Sequence, residues 1–350
     1  MNTAPTTIQF NLPDHLACPK PIELRNLPRD GVRLLVTTGA GDVDHTTFSK
    51  IDTHLKKGDV LVVNTSATRA AAFRVSLPEN REGVIHVSTP MPGGDWLIEV
   101  REIKGAKTLR WKKGKEGMVF WLPLSSQISL KKRFYKDSQL LHLWIAEFHS
   151  PIKLEELMSQ FGVPIKYDKV DELYPLDFYQ TFFSINPGSS EMPSAGRGFT
   201  EILVNKLLTK GVVFAPILLH TGISSLEEDE RPYPEYMEIS PLSASIINHG
   251  KGNGKRVIAV GTTAMRAVES VTNEKGAVQP FSGYTPLFID ENYSMRAING
   301  LLTGFHEPKA SHLFMLQSLA GIGHIERAYE IALSKNYYWH QFGDLHLILP

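Results

Sequence analysis

Along the chain the apolar positions change their period twice. The stretch SKIDTHLKK (49–57) has a capping serine at its start, lysines in its last turn and Gly58 just beyond, the signature of a short helix. DVLVVN (59–64) follows as a β-branched run typical of a buried strand. From about Ala70 to Phe148 the apolar runs shorten to RVSL, VIHVST, WLIEVREI, TLRW, MVFWLPL, QISLKKRFY and LLHLWIAEF, broken by turn formers such as Pro78, Gly93, Gly94 and Gly117. Closely spaced strands with almost no helical pattern predict a small closed barrel, which leaves no exposed sheet edge.

After Pro151 helix and strand alternate again. Thr200 caps EILVNKLLTK, Gly211 ends it, and VVFAPILLH (212–220) follows as an apolar strand. Pro216 removes one ladder donor from that strand and predicts an edge or a bulge. Ser240 and Pro241 open a helix that Gly250 is expected to close. RVIAVG (256–261) reads as a buried strand, TTAMRAVESV as a helix, two more helices are expected over about 309–320 and 324–335, and LHLIL (345–349) is a last strand. The pattern predicts an α/β fold, a mostly parallel sheet with helices on both faces, plus an inserted small β-barrel domain. Residues 1–68 and 151–350 would form the α/β domain and 69–150 the insertion.

Composition narrows the function. A chain of 350 residues is long enough for two domains. Its 37 basic and 37 acidic side chains cancel, so any attraction to nucleic acid must be local. The single cysteine, Cys18, excludes an intramolecular disulfide and a multi-cysteine metal site. No apolar run reaches the ~18–20 residues that span a bilayer, and the start lacks the features of a secretory signal. A cytoplasmic protein without membrane association is expected.

Four segments carry candidate chemistry. In VIAVGTTAMRAVES (257–270) an apolar strand ends at Gly261 and two threonines open a helix. Backbone N–H groups there, with Thr262, Thr263 and Arg266, suit a carboxylate, although an ordinary capped turn has the same residues. In LLTGFHEPKASHLFML (301–316), His306 can exchange a proton near neutral pH. Pro308 is expected to start a helix there, with Lys309 in its first turn. A lysine at that end opposes the helix dipole, so anion binding and simple solvation are both open. EMPSAGRGFTE (191–201) is either a substrate loop or a connector; its glycine spacing fits neither a dinucleotide nor a P-loop signature. Residues 101–136 hold eleven Lys/Arg against Glu102 and Glu116, interleaved with Trp111, Phe120, Trp121, Phe134 and Tyr135. That is an RNA-facing surface if the rings are exposed, and a solvated basic face over a core if they are not. The acidic run 227–230 reads as a solvated loop. No metal-ligand spacing is present.

Taken in order, YQT (179–181), PSAGRGFTE (193–201), LHTG (219–222), AVGTTAMRAVES (259–270), FSGYTPLFI (281–289), LLTGFHEPKAS (301–311) and FGDLHLIL (342–349) resemble the hallmark stretches of the S-adenosylmethionine:tRNA ribosyltransferase-isomerases of queuosine biosynthesis. With the N-terminal LPDHL…RLLV…GDVLVVNTSATR, the resemblance covers nearly the whole chain. It implies an α/β domain with an inserted barrel. It also implies transfer of the ribosyl part of S-adenosylmethionine to 7-aminomethyl-7-deazaguanine in tRNA, giving epoxyqueuosine and releasing adenine and methionine. S-adenosylmethionine is then a consumed substrate, and neither a resident cofactor nor a metal is implied. A base must remove the acidified proton beside the sulfonium, and adenine leaves more easily once protonated. By the same resemblance His306 is the proton-transfer residue, and Thr262, Thr263 and Arg266 hold the donor. Lys309 and Ser311 anchor anionic groups, and Tyr179, Gln180, Ser194 and Thr200 line the pocket.

The sequence also departs from the family pattern. P-T-A-G-L-H-F-T reads PSAGRGFT, so Gly198 replaces a histidine beside Arg197. T-D-I-F-I reads TPLFI, with Pro286 for an aspartate, and F-N-D-T-R reads VNTSA, with an arginine at Arg69. M-H-S-E reads RPYPE (231–235), and P-L-P-P-Y-I-x-R is reduced to FGVPIKYDK (161–169). These changes leave room for a small-molecule acceptor, or for a binding protein without turnover, beside the default tRNA.

Overall fold

A computed structural model describes residues 8–91, 93–105, 107–134, 142–167, 169–223, 233–285 and 287–350. Tyr135, Lys136, the acidic run 227–230, the first two residues of RPYPE and Pro286 lie outside the described residues.

Nine strands form the larger sheet, in the order Phe281–Thr285, Glu235–Ile239, Val213–Leu219, Val60–Asn64, Val257–Val260, Gly300–Gly304, Leu345–Leu349, Arg33–Thr38 and Val43–Thr47. The run from Val213–Leu219 to Gly300–Gly304 is parallel, and Leu345–Leu349 pairs parallel with Arg33–Thr38. The other four pairings are antiparallel. The sheet is therefore mixed, which corrects the expectation of a mostly parallel one. The cause is visible before the last strand. One helix between two strands returns the chain to its starting end and makes them parallel. Two helices, His312–Ala320 and Ile322–Ser334, separate Gly300–Gly304 from Leu345–Leu349, so the chain enters the last strand reversed.

Alternate strand residues feed two apolar clusters. Val60, Val62, Val257, Ala259 and Leu301 pack with Ile247, Met265, Val268, Leu316 and Ile325 of four helices. Leu61, Val63, Ile258, Val260 and Leu302 pack with Leu203 and Leu207 of the helix Glu201–Lys210, and with Phe48 and Ile51. Thr200 does cap that helix, its hydroxyl accepting from the Leu203 N–H at 3.2 Å. Ser240 caps the helix Pro241–Gly252, which runs on past Gly250. The stretch expected as a helix over 49–57 is a short 3₁₀ segment, Phe48–Thr53. Pro216 is inside the sheet. Val213 donates to Asp59 and Ile217 accepts from Thr65, so Pro216 faces the other side, where pairing begins only at Leu218. No ladder donor is missed there, and the Ser243 hydroxyl takes the Pro216 carbonyl.

The second sheet is antiparallel and curls into a nearly closed barrel, in the order Ala72–Leu77, Arg81–Pro90, Trp96–Lys104, Leu143–His149, Gln127–Arg133 and Val119–Trp121, with Lys107–Arg110 added to Trp96–Lys104. Trp111 and Phe120 belong to its interior cluster, with Ile98, Leu130 and Trp144. Phe134 packs on Tyr233 of the larger sheet region, and Trp121 stands 64% exposed. Among the described residues no helix is long and apolar enough to cross a membrane.

Candidate active site

Topology decides what meets at the carboxyl edge of the larger sheet. Val257–Val260 pairs parallel with Gly300–Gly304, so Gly261 and Phe305 leave the sheet side by side. Val213–Leu219 belongs to the same parallel run and delivers Thr221 to that edge. Leu345–Leu349 is antiparallel to Gly300–Gly304, with Gly304 opposite Leu345, so the segment entering it arrives there too. The result is a cleft lined by Tyr167, Glu191, Ser194, Thr221, Gly261–Thr263, Thr303–Ala310, His312 and His340. Ligand sites in open α/β sheets lie at this edge.

Gly261 makes the strand-to-helix turn possible. Its φ of 92° is a left-handed backbone value that a side chain disfavours. A Cβ there would meet nothing closer than 3.5 Å, so the requirement is conformational and not steric. The turn places the N-terminus of the helix Thr262–Ser270 at the cleft, which Ser194 and Ala195 also line.

His306 projects from the other wall. Its Nε2 lies 2.9 Å from the Thr303 hydroxyl, and its ring stacks on His312 with centroids 4.6 Å apart. Its backbone is pinned on both sides: the N–H donates to the Tyr329 hydroxyl at 3.2 Å, and the carbonyl accepts from the Trp339 indole at 3.0 Å. Burial, then the neighbouring His312 and His340, hold its pKa well below the usual histidine value. Burial, with Arg266 nearby, brings His312 down to about 4. Both rings are neutral at pH 7, and the burial that keeps them so disfavours the imidazolium that proton transfer would form.

Of the residues expected at the site, Ser194, Thr262, Thr263, His306 and Lys309 line the cleft. Five do not. Arg266 is 4% exposed, and its guanidinium is committed within the fold, to Glu235 at 2.6 Å and to the carbonyls of Leu287, Tyr233 and Thr285 at 2.7, 3.0 and 3.2 Å. Gln180 pairs both amide atoms with the Thr68 peptide, at 3.0 and 2.8 Å, and so joins two chain segments. Thr200 is spent on its cap and on Asp30. Tyr179 sits behind the wall, packed on Tyr167 and Phe342, and burial pushes its hydroxyl up to about 12. Ser311 is next to the cleft, at the start of a helix that begins at His312 and not near Pro308. Lys309, with φ of 64°, breaks the helical path before it.

The departures also find a physical setting. Arg197 is buried on Glu23, at 2.7 Å, and lies over the Phe342 ring. A Cβ at Gly198 would stand 2.8 Å from the Phe48 ring, so a histidine there would require Phe48 to move. Tyr167, Glu191, Thr221, Glu307 and His312 lie in stretches that the sequence singles out without marking them as site residues, and His340 lies in none of them; only tertiary pairing brings all six to one cleft.

A family described as "Queuosine biosynthesis protein" matches residues 6–348. The S-adenosylmethionine:tRNA ribosyltransferase-isomerases of Desulfitobacterium hafniense and Carboxydothermus hydrogenoformans are each 32% identical to the chain, over 97% of its length and 98% of theirs. The crystal structure of the S-adenosylmethionine tRNA ribosyltransferase from Thermotoga maritima superposes with a TM-score of 0.54 at 24% identity, covering 97% of this chain and 99% of that one, and so shares its fold. On this match the chain belongs to the queuosine biosynthesis protein family, that of the S-adenosylmethionine:tRNA ribosyltransferase-isomerases.

Proposed function

We propose that this protein is an S-adenosylmethionine-dependent ribosyltransferase-isomerase. It moves the ribosyl moiety of S-adenosylmethionine onto 7-aminomethyl-7-deazaguanine in tRNA, giving epoxyqueuosine, adenine and methionine. The observation that carries the reading is the meeting of the Gly261–Thr263 turn and the Thr303–Lys309 loop in one cleft, in a chain of this family.

In this reading S-adenosylmethionine is consumed and no resident cofactor takes part. The helix N-terminus at Thr262 and Thr263 receives the anionic or polar end of the donor. His306, neutral and held by Thr303, takes part in proton transfer. Lys309 and Ser311 flank the entrance, while Arg266, Gln180 and Thr200 keep the walls in place. The relatives' names favour tRNA over a small acceptor. Seven exposed lysines of the barrel (Lys104, Lys107, Lys112, Lys113, Lys115, Lys131 and Lys132), with exposed Trp121, offer phosphate and base contacts. The remaining elements of the proposal are a barrel inserted at 69–150, helices on both faces of the larger sheet, and action in the cytoplasm.

The test is release of adenine from S-adenosylmethionine by the purified protein, with and without tRNA bearing the aminomethyl deazaguanine. RNA-dependent release with ribosylated tRNA is expected. Release without RNA would instead favour a small acceptor, and tight binding without release a non-catalytic protein.

A further inference from the structure

The proposed reaction moves several protons: one leaves the ribose carbon bonded to sulfur, one leaves the incoming amine, and one reaches adenine. His306 is one proton carrier in the cleft, but its Nε2 already meets the Thr303 hydroxyl. A second histidine is differently placed. His340 lines the cleft, and its side chain is 5% exposed. Its Nδ1 lies 3.0 Å from Glu307 Oε1, and its Nε2 is buried with no hydrogen-bond partner among the described residues. A carboxylate on Nδ1 fixes the tautomer: the proton sits on Nδ1, and the Nε2 lone pair is left unused. A buried polar atom without a partner is costly in a finished fold, and it calls for an explanation such as a missing ligand.

Two further observations agree. The backbone at His340 is left-handed, with φ of 73°, as is that of Lys309, two residues beyond Glu307, with φ of 64°. Strain in non-glycine residues gathers where the surroundings impose a functional geometry. His340 also borders a smaller adjoining hollow lined by Ser194, Arg197 and Gly198. Gly198 is the position where the family pattern carries a histidine, so His340 puts an imidazole beside the place from which one is absent.

We propose that His340, oriented by Glu307, is the catalytic base that removes the proton beside the sulfonium. This rests on the ribosyl-transfer reading above. In the step, the C–H bond breaks and its electron pair stays on the carbon next to the positively charged sulfur. The proton forms a bond to Nε2, and the imidazolium is stabilised through Nδ1–H by the Glu307 carboxylate. The electron pair left on that carbon forms a double bond to the neighbouring ring carbon as the ring C–O bond breaks. The ring oxygen's pair closes a carbonyl at the anomeric carbon, and adenine leaves with the C–N electron pair on nitrogen, where it takes the proton from the imidazolium, so the histidine ends each turnover neutral. Glu307 acts through His340 and is a positioning residue.

The experiment measures adenine release with tRNA for wild type, His340→Asn, His340→Gly and Glu307→Gln, with thermal melts to check folding. Asparagine and glycine both accept the left-handed backbone, so these variants relieve strain and do not add it. Turnover of His340→Asn should fall about 100-fold to 10,000-fold, with the donor KM little changed. Exchange of the ribose hydrogens next to sulfur with solvent deuterium should be lost in parallel. Added imidazole should restore at least about tenfold of the His340→Gly activity, which a merely structural histidine would not allow, and Glu307→Gln should lose about tenfold or more. An active wild type with His340→Asn within about threefold of it overturns this assignment alone. So does a folded, inactive His340→Gly that imidazole leaves inactive while Glu307→Gln is unaffected. A wild type that releases no adenine with tRNA overturns the ribosyl-transfer reading, and this assignment with it.

Discussion

Two buried clusters in this molecule use the same residue types for opposite ends. On the face of the barrel sheet opposite its apolar interior, Glu99 is 3% exposed and accepts from Arg101 at 2.6 Å and His86 at 3.2 Å, with His142 nearby at 3.8 Å. Burial alone would raise its carboxyl, but His86, Arg101 and His142 together bring it down to about 2. At the cleft, one carboxylate, Glu307, meets one ring nitrogen of His340, and the other nitrogen has no partner among the described residues. His306 and His312 stack face to face with no carboxylate between them. The difference is the ratio of acceptors to donors. A carboxylate that accepts from an arginine and a histidine saturates and builds structure, whereas an imidazole given only one partner keeps a lone pair for chemistry. Arg266 belongs with the first kind: its place at the start of a cleft helix suggested a substrate contact, and Glu235 and three carbonyls have claimed it.

The largest expected separation of the two clusters is in turnover. His306→Ala should lower it about 100-fold or more while donor binding and unfolding temperature change little, measured by adenine release, calorimetry and thermal melts. Unchanged turnover removes His306 from the reaction. Glu99→Ala should do the reverse. Breaking a buried ion pair from one side costs about 3–5 kcal/mol, read as a lower denaturant midpoint, with normal activity per folded molecule. A loss of activity without a loss of stability would mean that the barrel cluster is part of the site.

Acid offers a finer cut. Burial brings His142, His220 and His312 down to about 4 and His346 to about 3, each from an ordinary value of 6.5. Unfolded, each would bind a proton below 6.5, so the stability of keeping them neutral is complete above that pH. It is lost as pH falls from 6.5 towards 4, and towards 3 for His346. Glu99 adds a further loss only between 4.5 and about 2. Denaturant midpoints should therefore be flat above neutrality and begin to fall below pH 6.5; a midpoint constant down to pH 4 contradicts neutral buried histidines. The smallest effect is Gly261→Ala, which should cost about 1–2 kcal/mol from its positive-φ backbone, and should weaken donor binding because the turn sets the helix N-terminus at the cleft.

Local signals in the sequence were read well where the structure obeys local rules. Caps at Thr200 and Ser240, the strand ending at Gly261 and the strand-rich texture of the barrel all depend on neighbours in the chain. Sheet direction is not legible locally, because it depends on how many helices lie between two strands. Arg266, Gln180 and Thr200 look like substrate contacts in the sequence because nothing local reveals that Glu235, Thr68 and Asp30 lie beside them. His340 carries no local signal for the same reason. Its partner Glu307 is 33 positions away, and they meet because Gly304 pairs with Leu345 across the sheet.

The most direct measurement is a crystal structure of the protein with S-adenosylmethionine or a non-reactive sulfonium analogue. Density for the donor is expected between the Thr262–Thr263 turn and the His306 loop, with its sulfur-bound ribose carbon facing the imidazoles. A donor bound elsewhere, with that cleft filled only by solvent, contradicts the assignment.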